Sequence, residues 1–134
     1  MEIAKVVASI EAANSGSRIL DRQIAEAVGW RREIREDRDD QGQTISRGVW
    51  YDPSSRKPGT IPNYSGNLEA AHSLVSLVAP NSTGGCTWED GAASAKIGTG
   101  PYSHARTPAL ALSSAALRYL AENHNRGSAH MVLS

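Results

Sequence analysis

Ile3, Val6, Val7 and Ile10 recur at helical spacing and Asn14-Ser15-Gly16 interrupts the run, which predicts a short first helix. Ser17 has the chemistry of an N-cap. Leu20, Ile24, Ala27 and Val28 then form one stripe that ends at Gly29, giving a second helix. The stretch 31–40 mixes charges of both signs around one apolar residue and reads as a solvated face or loop. Thr44–Tyr51 concentrates β-branched and aromatic residues, so it predicts the first strand, closed by the Asp52-Pro53-Ser54-Ser55 turn.

Pro58, Gly59 and Pro62 keep the next segment irregular until Ser65 or Asn67 caps a helix carrying Leu68, Ala71, Leu74, Val75 and Val78. Pro80 stops it. Gly84–Gly91 and Ala92–Gly98 predict two short antiparallel strands turning at Asp90-Gly91. A last helix starts at Thr107 with Pro108 in the first helical position, and its buried face is expected to be Ala109, Leu112, Ala116, Leu117 and Leu120. Beyond Asn123 the apolar period ends, which predicts a frayed tail over 124–134. The division is a helix over 1–14, one mixed helix-and-sheet (α+β) domain over 15–123, and that tail. The first helix has no evident partner in so small a domain, so its apolar stripe is expected to meet another subunit in a homo-oligomer, most simply a dimer.

Composition narrows the chemistry. Fourteen basic and fourteen acidic side chains cancel in a 134-residue chain, which argues against general nucleic-acid binding. The single Cys86 excludes an intrachain disulfide and a multi-cysteine zinc site, in keeping with a reducing cytoplasm. Charges inside the first apolar run make a signal peptide or membrane span a poor reading.

No catalytic constellation emerges. His72, His104, His124 and His130 form no compact ligand spacing, so no metal is expected. Cys86 falls in a predicted strand, where a buried thiol is the ordinary reading, and Asp90-Gly91 is turn chemistry rather than half of an acid–base pair. Gly98-Thr99-Gly100 lacks the third glycine of a dinucleotide fingerprint and the lysine of a P-loop. The chemistry concentrates where polar turns open into apolar helices. Trp50 and Tyr51 precede a loop carrying Arg56 and Lys57, Tyr64-Ser65-Gly66-Asn67 leads into one helix, and Arg106-Thr107 leads into another. Rings and cations beside free helix-start N–H groups suit an anionic, nucleotide-like ligand, although caps and loop anchors explain the same residues without one.

Four runs, namely Leu20–Trp30, Trp50-Tyr51-Asp52-Pro53, Tyr64–Ala71 and Thr107–Leu112, resemble in their order the phage ABA sandwich domain family. The resemblance spans roughly 17–123 and implies a phage origin and an α/β/α sandwich, a small sheet with helices on both faces. It supplies no catalytic residues and no cofactor. Together these readings lead to the expectation of a counter-defence protein that sequesters a small host signalling nucleotide, of the cyclic oligonucleotide or cyclic ADP-ribose type, without cleaving it. A protein-interaction module that blocks a host protein is the alternative, and an enzyme degrading the same signal a third reading.

Overall fold

From Ala109 to Leu117 every residue is apolar or small, so this stretch of helix can be surrounded on all sides instead of along one stripe. That is what the chain does with it. The computed structural model describes residues 2–133, with side chains described over 2–123, and in it every residue from Ala109 through Leu117 is buried. This helix, α4 (Pro108–Leu133), contacts α1 (Ile3–Ala12), α2 (Arg18–Ala27), α3 (Leu68–Val78) and the second of two sheets. The expected buried face of α4 is therefore only part of its buried surface. The frayed tail expected at 124–134 lies outside the residues described with side chains.

The mixed α+β class read from the sequence is the one observed: four helices with two separate three-stranded antiparallel sheets among the described residues. The layering differs from a single sheet between helices. In the second sheet β4 (Gly84–Glu89), β5 (Ala92–Ile97) and β6 (Ser103–Ala105) pair in sequence order. Ala93, Ala95 and Ile97 of β5 are buried on the α4 side. The alternate face carries Ser94, Lys96 and His104, with Ser94 Oγ 2.8 Å from His104 Nδ1, so it is polar and no described helix covers it. The expected hairpin is present: Glu89 faces Ala92, and the two-residue turn uses Gly91 at φ +75°, which a Cβ would disfavour.

The first sheet contains β1 (Arg31–Arg38), β2 (Thr44–Tyr51) and the two-residue β3 (Pro58–Gly59). Of the two readings of 31–40, a solvated face or a loop, β1 bears out the solvated face and corrects the loop. It pairs with β2 from Arg31↔Tyr51 to Arg38↔Thr44, and all eight of its residues are exposed. A ribbon with neither face buried needs no apolar alternation, which is why the hydrophobic period is silent there. Its base is anchored by Trp30, buried, whose indole Nε1 donates to Tyr64 Oη at 3.0 Å and whose ring edge lies against Gly59.

A second correction concerns α1. Val6, Val7 and Ile10 are buried inside the chain, with α1 packed on α4 and α2. Glu11 adds a two-point ion pair to Arg118 at 2.7 and 2.8 Å and accepts from Ser114 Oγ. The apolar stripe that was expected to wait for another subunit is covered by α4, because α4 is apolar on that side too. α1 is packed into the same core as the other three helices.

Candidate functional site: an arginine-lined cleft beside the first sheet

The expected site residues fall into three places. Tyr64, Ser65, Gly66 and Asn67 form a structural joint. Ser65 is fully buried and donates its N–H (2.8 Å) and hydroxyl (2.6 Å) to one oxygen of the fully buried Asp21 in α2. Its hydroxyl also accepts from Ser17 N–H at 3.0 Å. Gly16 lets the chain cross Gly66 so closely that a Cβ on Gly16 would sit 2.6 Å from Gly66 backbone atoms, while a Cβ on Gly66 would sit 2.8 Å from the Asn63 side chain. Asn67 caps α3 by accepting from Ala70 N–H at 2.9 Å, and Tyr64 is buried with its carbonyl accepting from Ser113 Oγ at 2.9 Å. None of these four residues lines a described cavity.

Arg56 and Lys57 belong to a turn closed on itself. Asp52 Oδ1 accepts from Ser54 and Ser55 N–H groups, Asp52 O accepts from Arg56 N–H, and Arg56 takes the left-handed φ of +59°. Both side chains are exposed. At the far helix start Thr107 Oγ1 accepts from Leu110 N–H at 3.2 Å, the expected cap, while Arg106 is exposed. Tyr51 is half-buried with the Arg35 guanidinium 5.7 Å from its ring centroid, and its hydroxyl is buried without a hydrogen-bond partner among the described residues. No described cavity brings Arg106 or Thr107 together with the Trp50–Lys57 segment.

Trp50 is different, because it lines a cleft of about 510 Å³. β3 pairs with β2 only at Trp50 and Tyr51, after which the chain turns away through Thr60 and Ile61 and leaves the Arg47–Val49 edge of β2 open. α2 closes the far side with Arg18 and Arg22, one helical turn apart on one face. Arg18, Arg22 and Arg47 thus line one cleft with Trp50, and no carboxylate is among its lining residues. Arg18 is held in place by Asp21 Oδ2 at 2.8 Å and Ile61 O at 2.9 Å, which leaves part of its five-donor fork for a guest. Arg47 lies 3.8 Å from Asp37 with both side chains mostly exposed, a contact that water screens. Arg22 is exposed and has no hydrogen-bond or ion-pair partner among the described residues.

These arginines lie on two separate runs, α2 and β2, so spacing along the chain does not bring them together. The i, i+4 placement of Arg18 and Arg22 is visible in the sequence, but the cleft they share with Trp50 depends on where α2 lies relative to β2.

Elsewhere, burial pushes the Cys86 thiol above its ordinary value, and the thiol points at Pro108 O (3.9 Å), so it stays protonated and poorly nucleophilic near neutral pH. Among the described residues no group of three or more His, Cys, Asp or Glu is placed to hold a metal ion, and no helix is long and apolar enough to cross a membrane. The fold and the cleft thus define a small α+β protein with a recess lined by arginines and edged by Trp50. Comparison with family models, with curated proteins and with solved structures finds no match to this chain.

Proposed function

We propose that the protein is a phage-encoded counter-defence protein, acting in the cytoplasm of the infected bacterium, that sequesters a small host signalling nucleotide without cleaving it. The observation that carries this reading is that Arg18, Arg22 and Arg47 line the same cleft as Trp50, with no carboxylate among its lining residues. Guanidinium forks match phosphate oxygens in pairs, and an indole offers a face for a base, so the two together select a ligand that has both. Sequestration needs nothing more, since a binder in excess of its ligand acts by mass action. The resemblance of Leu20–Trp30, Trp50–Pro53, Tyr64–Ala71 and Thr107–Leu112 to the phage ABA sandwich family supports the phage setting.

Calorimetry against cyclic dinucleotides, cyclic ADP-ribose isomers and inorganic phosphate tests the site. Arg22→Ala is the informative variant because Arg22 has no structural partner to lose: binding should weaken by about 1.5–3 kcal/mol, the size of a charge-assisted hydrogen bond, with the melting temperature unchanged. Heating the complex should release the ligand intact. Arg22→Ala with wild-type affinity removes the cleft from the site, a ligand recovered in pieces makes the protein an enzyme, and a screen with no binder favours a protein-interaction module.

A further inference from the structure

β1 is an edge strand. It pairs with β2 on one side, and no described residue pairs with the other. Its side chains are exposed along the whole strand, with Ile34 in the middle 70% exposed. Eight residues of open edge with an isoleucine at the centre form a template for another strand, and the order of the charges specifies which one.

We infer that the chain forms a two-fold dimer through the outer edge of β1, joining the two three-stranded sheets into one of six strands. Laid antiparallel about an axis through Ile34, Arg31 faces the partner's Asp37, Arg32 faces the partner's Glu36, and Glu33 faces the partner's Arg35. Ile34 meets the partner's Ile34, and the symmetry repeats the three ion pairs beyond the axis. Every charged residue from Arg31 to Asp37 then meets an opposite charge. Neighbouring registers fail. Moving the axis to Glu33 sets Glu33 against the partner's Glu33 and Arg31 against the partner's Arg35, and moving it to Arg35 sets Arg35 against the partner's Arg35 and Glu33 against the partner's Asp37. Scattered charges placed only to keep an edge apart would not need a pattern that complements itself in one register.

The backbone and faces agree with this register. Antiparallel pairs alternate between hydrogen-bonded and non-bonded sites, and a two-fold axis can pass through either, so pairing centred on Ile34 is allowed whichever way its N–H points. Pairing also keeps each side chain on its own face, with Arg31, Glu33, Arg35 and Asp37 on one and Arg32, Ile34 and Glu36 on the other. Within the hairpin Arg35 stands directly opposite Arg47, a like-charge pair. The partner's Glu33 would supply Arg35 with a counter-charge across the edge.

Sedimentation velocity on the full chain at micromolar concentration tests the dimer. The wild type should sediment at twice its 14.3 kDa mass and shift toward monomer as salt screens the six ion pairs. Glu33→Arg alone and Arg35→Glu alone should each be monomeric, since each creates two symmetry-related like-charge contacts. Mixed in equal amounts they should dimerise, because a chain with arginine at both positions meets one with glutamate at both. Circular dichroism checks that each variant is folded. If either reversal unfolds the hairpin, Ile34→Lys, which places two like charges on the axis, should give monomer by itself. A wild type that stays monomeric at low salt overturns the proposal, as does a dimer that survives both reversals or fails to return in the mixture.

Discussion

Asp21 and Ser65 show what a buried carboxylate can do when every partner is supplied. Asp21 accepts from the Ser65 backbone, the Ser65 hydroxyl and Arg18, and so ties the start of α2 to the turn before α3 and orients one wall of the cleft. Asp21→Ala should lower the unfolding free energy by roughly 3 kcal/mol in urea titrations, because the buried Ser65 N–H loses its charged acceptor, whereas Arg18 is half-exposed and can turn to water. Tyr64 is the matching case for pH. Burial pushes its phenol above the ordinary value of 10.0; the charges of Asp52 and Asp21 add to this, and the hydrogen bond from Trp30 opposes it. A folded value above the unfolded one means this stability is fully present below pH 10 and lost as pH rises through the folded value. Tyr64→Phe should remove that alkaline loss while costing about 1–3 kcal/mol at neutral pH, since the Trp30 Nε1–H is left without its acceptor. Urea midpoints followed from neutral pH to above 10 separate the two effects.

At the scale of elements, α1 and the β1–β2 ribbon exchange the roles their patterns announce. α1 looks like a detachable amphipathic helix, yet Ile10 is fully buried against the rest of the chain. Ile10→Ala should cost about 2–5 kcal/mol in thermal or urea unfolding of the full chain. A change near zero would mean that α1 is loosely held. The ribbon looks like a solvated loop, yet its backbone is paired over eight residues. Its tip is closed by Asp39 Oδ1, which accepts from the Gln41 and Gln43 N–H groups at 2.9 and 2.8 Å, and by Gly42 at φ +79°. Turn chemistry at both ends of β2, rather than an apolar face, holds this register.

For the whole molecule, stability is expected to be uneven because burial is. Ala109–Leu117 lies inside, surrounded by α1, α3 and the β4–β6 sheet, while the ribbon stands in water. Native-state hydrogen exchange should find the slowest amides at Leu110–Leu117, opening only with global unfolding, and amides of β1 exchanging orders of magnitude faster. Ribbon amides as protected as those of α4 would mean that β1 is covered, and the dimer predicts such protection on its outward-facing amides alone, rising with protein concentration.

The sequence alone determined what local chemistry controls. Ser17, Asn67 and Thr107 cap the helices expected of them, Gly29 and Pro80 stand just past two helix ends, and Asp90-Gly91 turns the hairpin, because caps and turns depend on residues within a few positions of one another. Tertiary structure decided whatever depends on what lies across the chain. A ribbon with two exposed faces carries no hydrophobic period, so β1 was invisible. An amphipathic helix states that it needs a partner but not which one, so α1 was assigned to another subunit when α4 was waiting within the same chain. Ser65 reads alike as a cap, a ligand contact or a buried joint until Asp21 is placed beside it. Arg18 and Arg22 share a cleft with Arg47 and Trp50 only because α2 lies across that cleft from the edge of β2, and proximity in space leaves no mark on spacing in sequence.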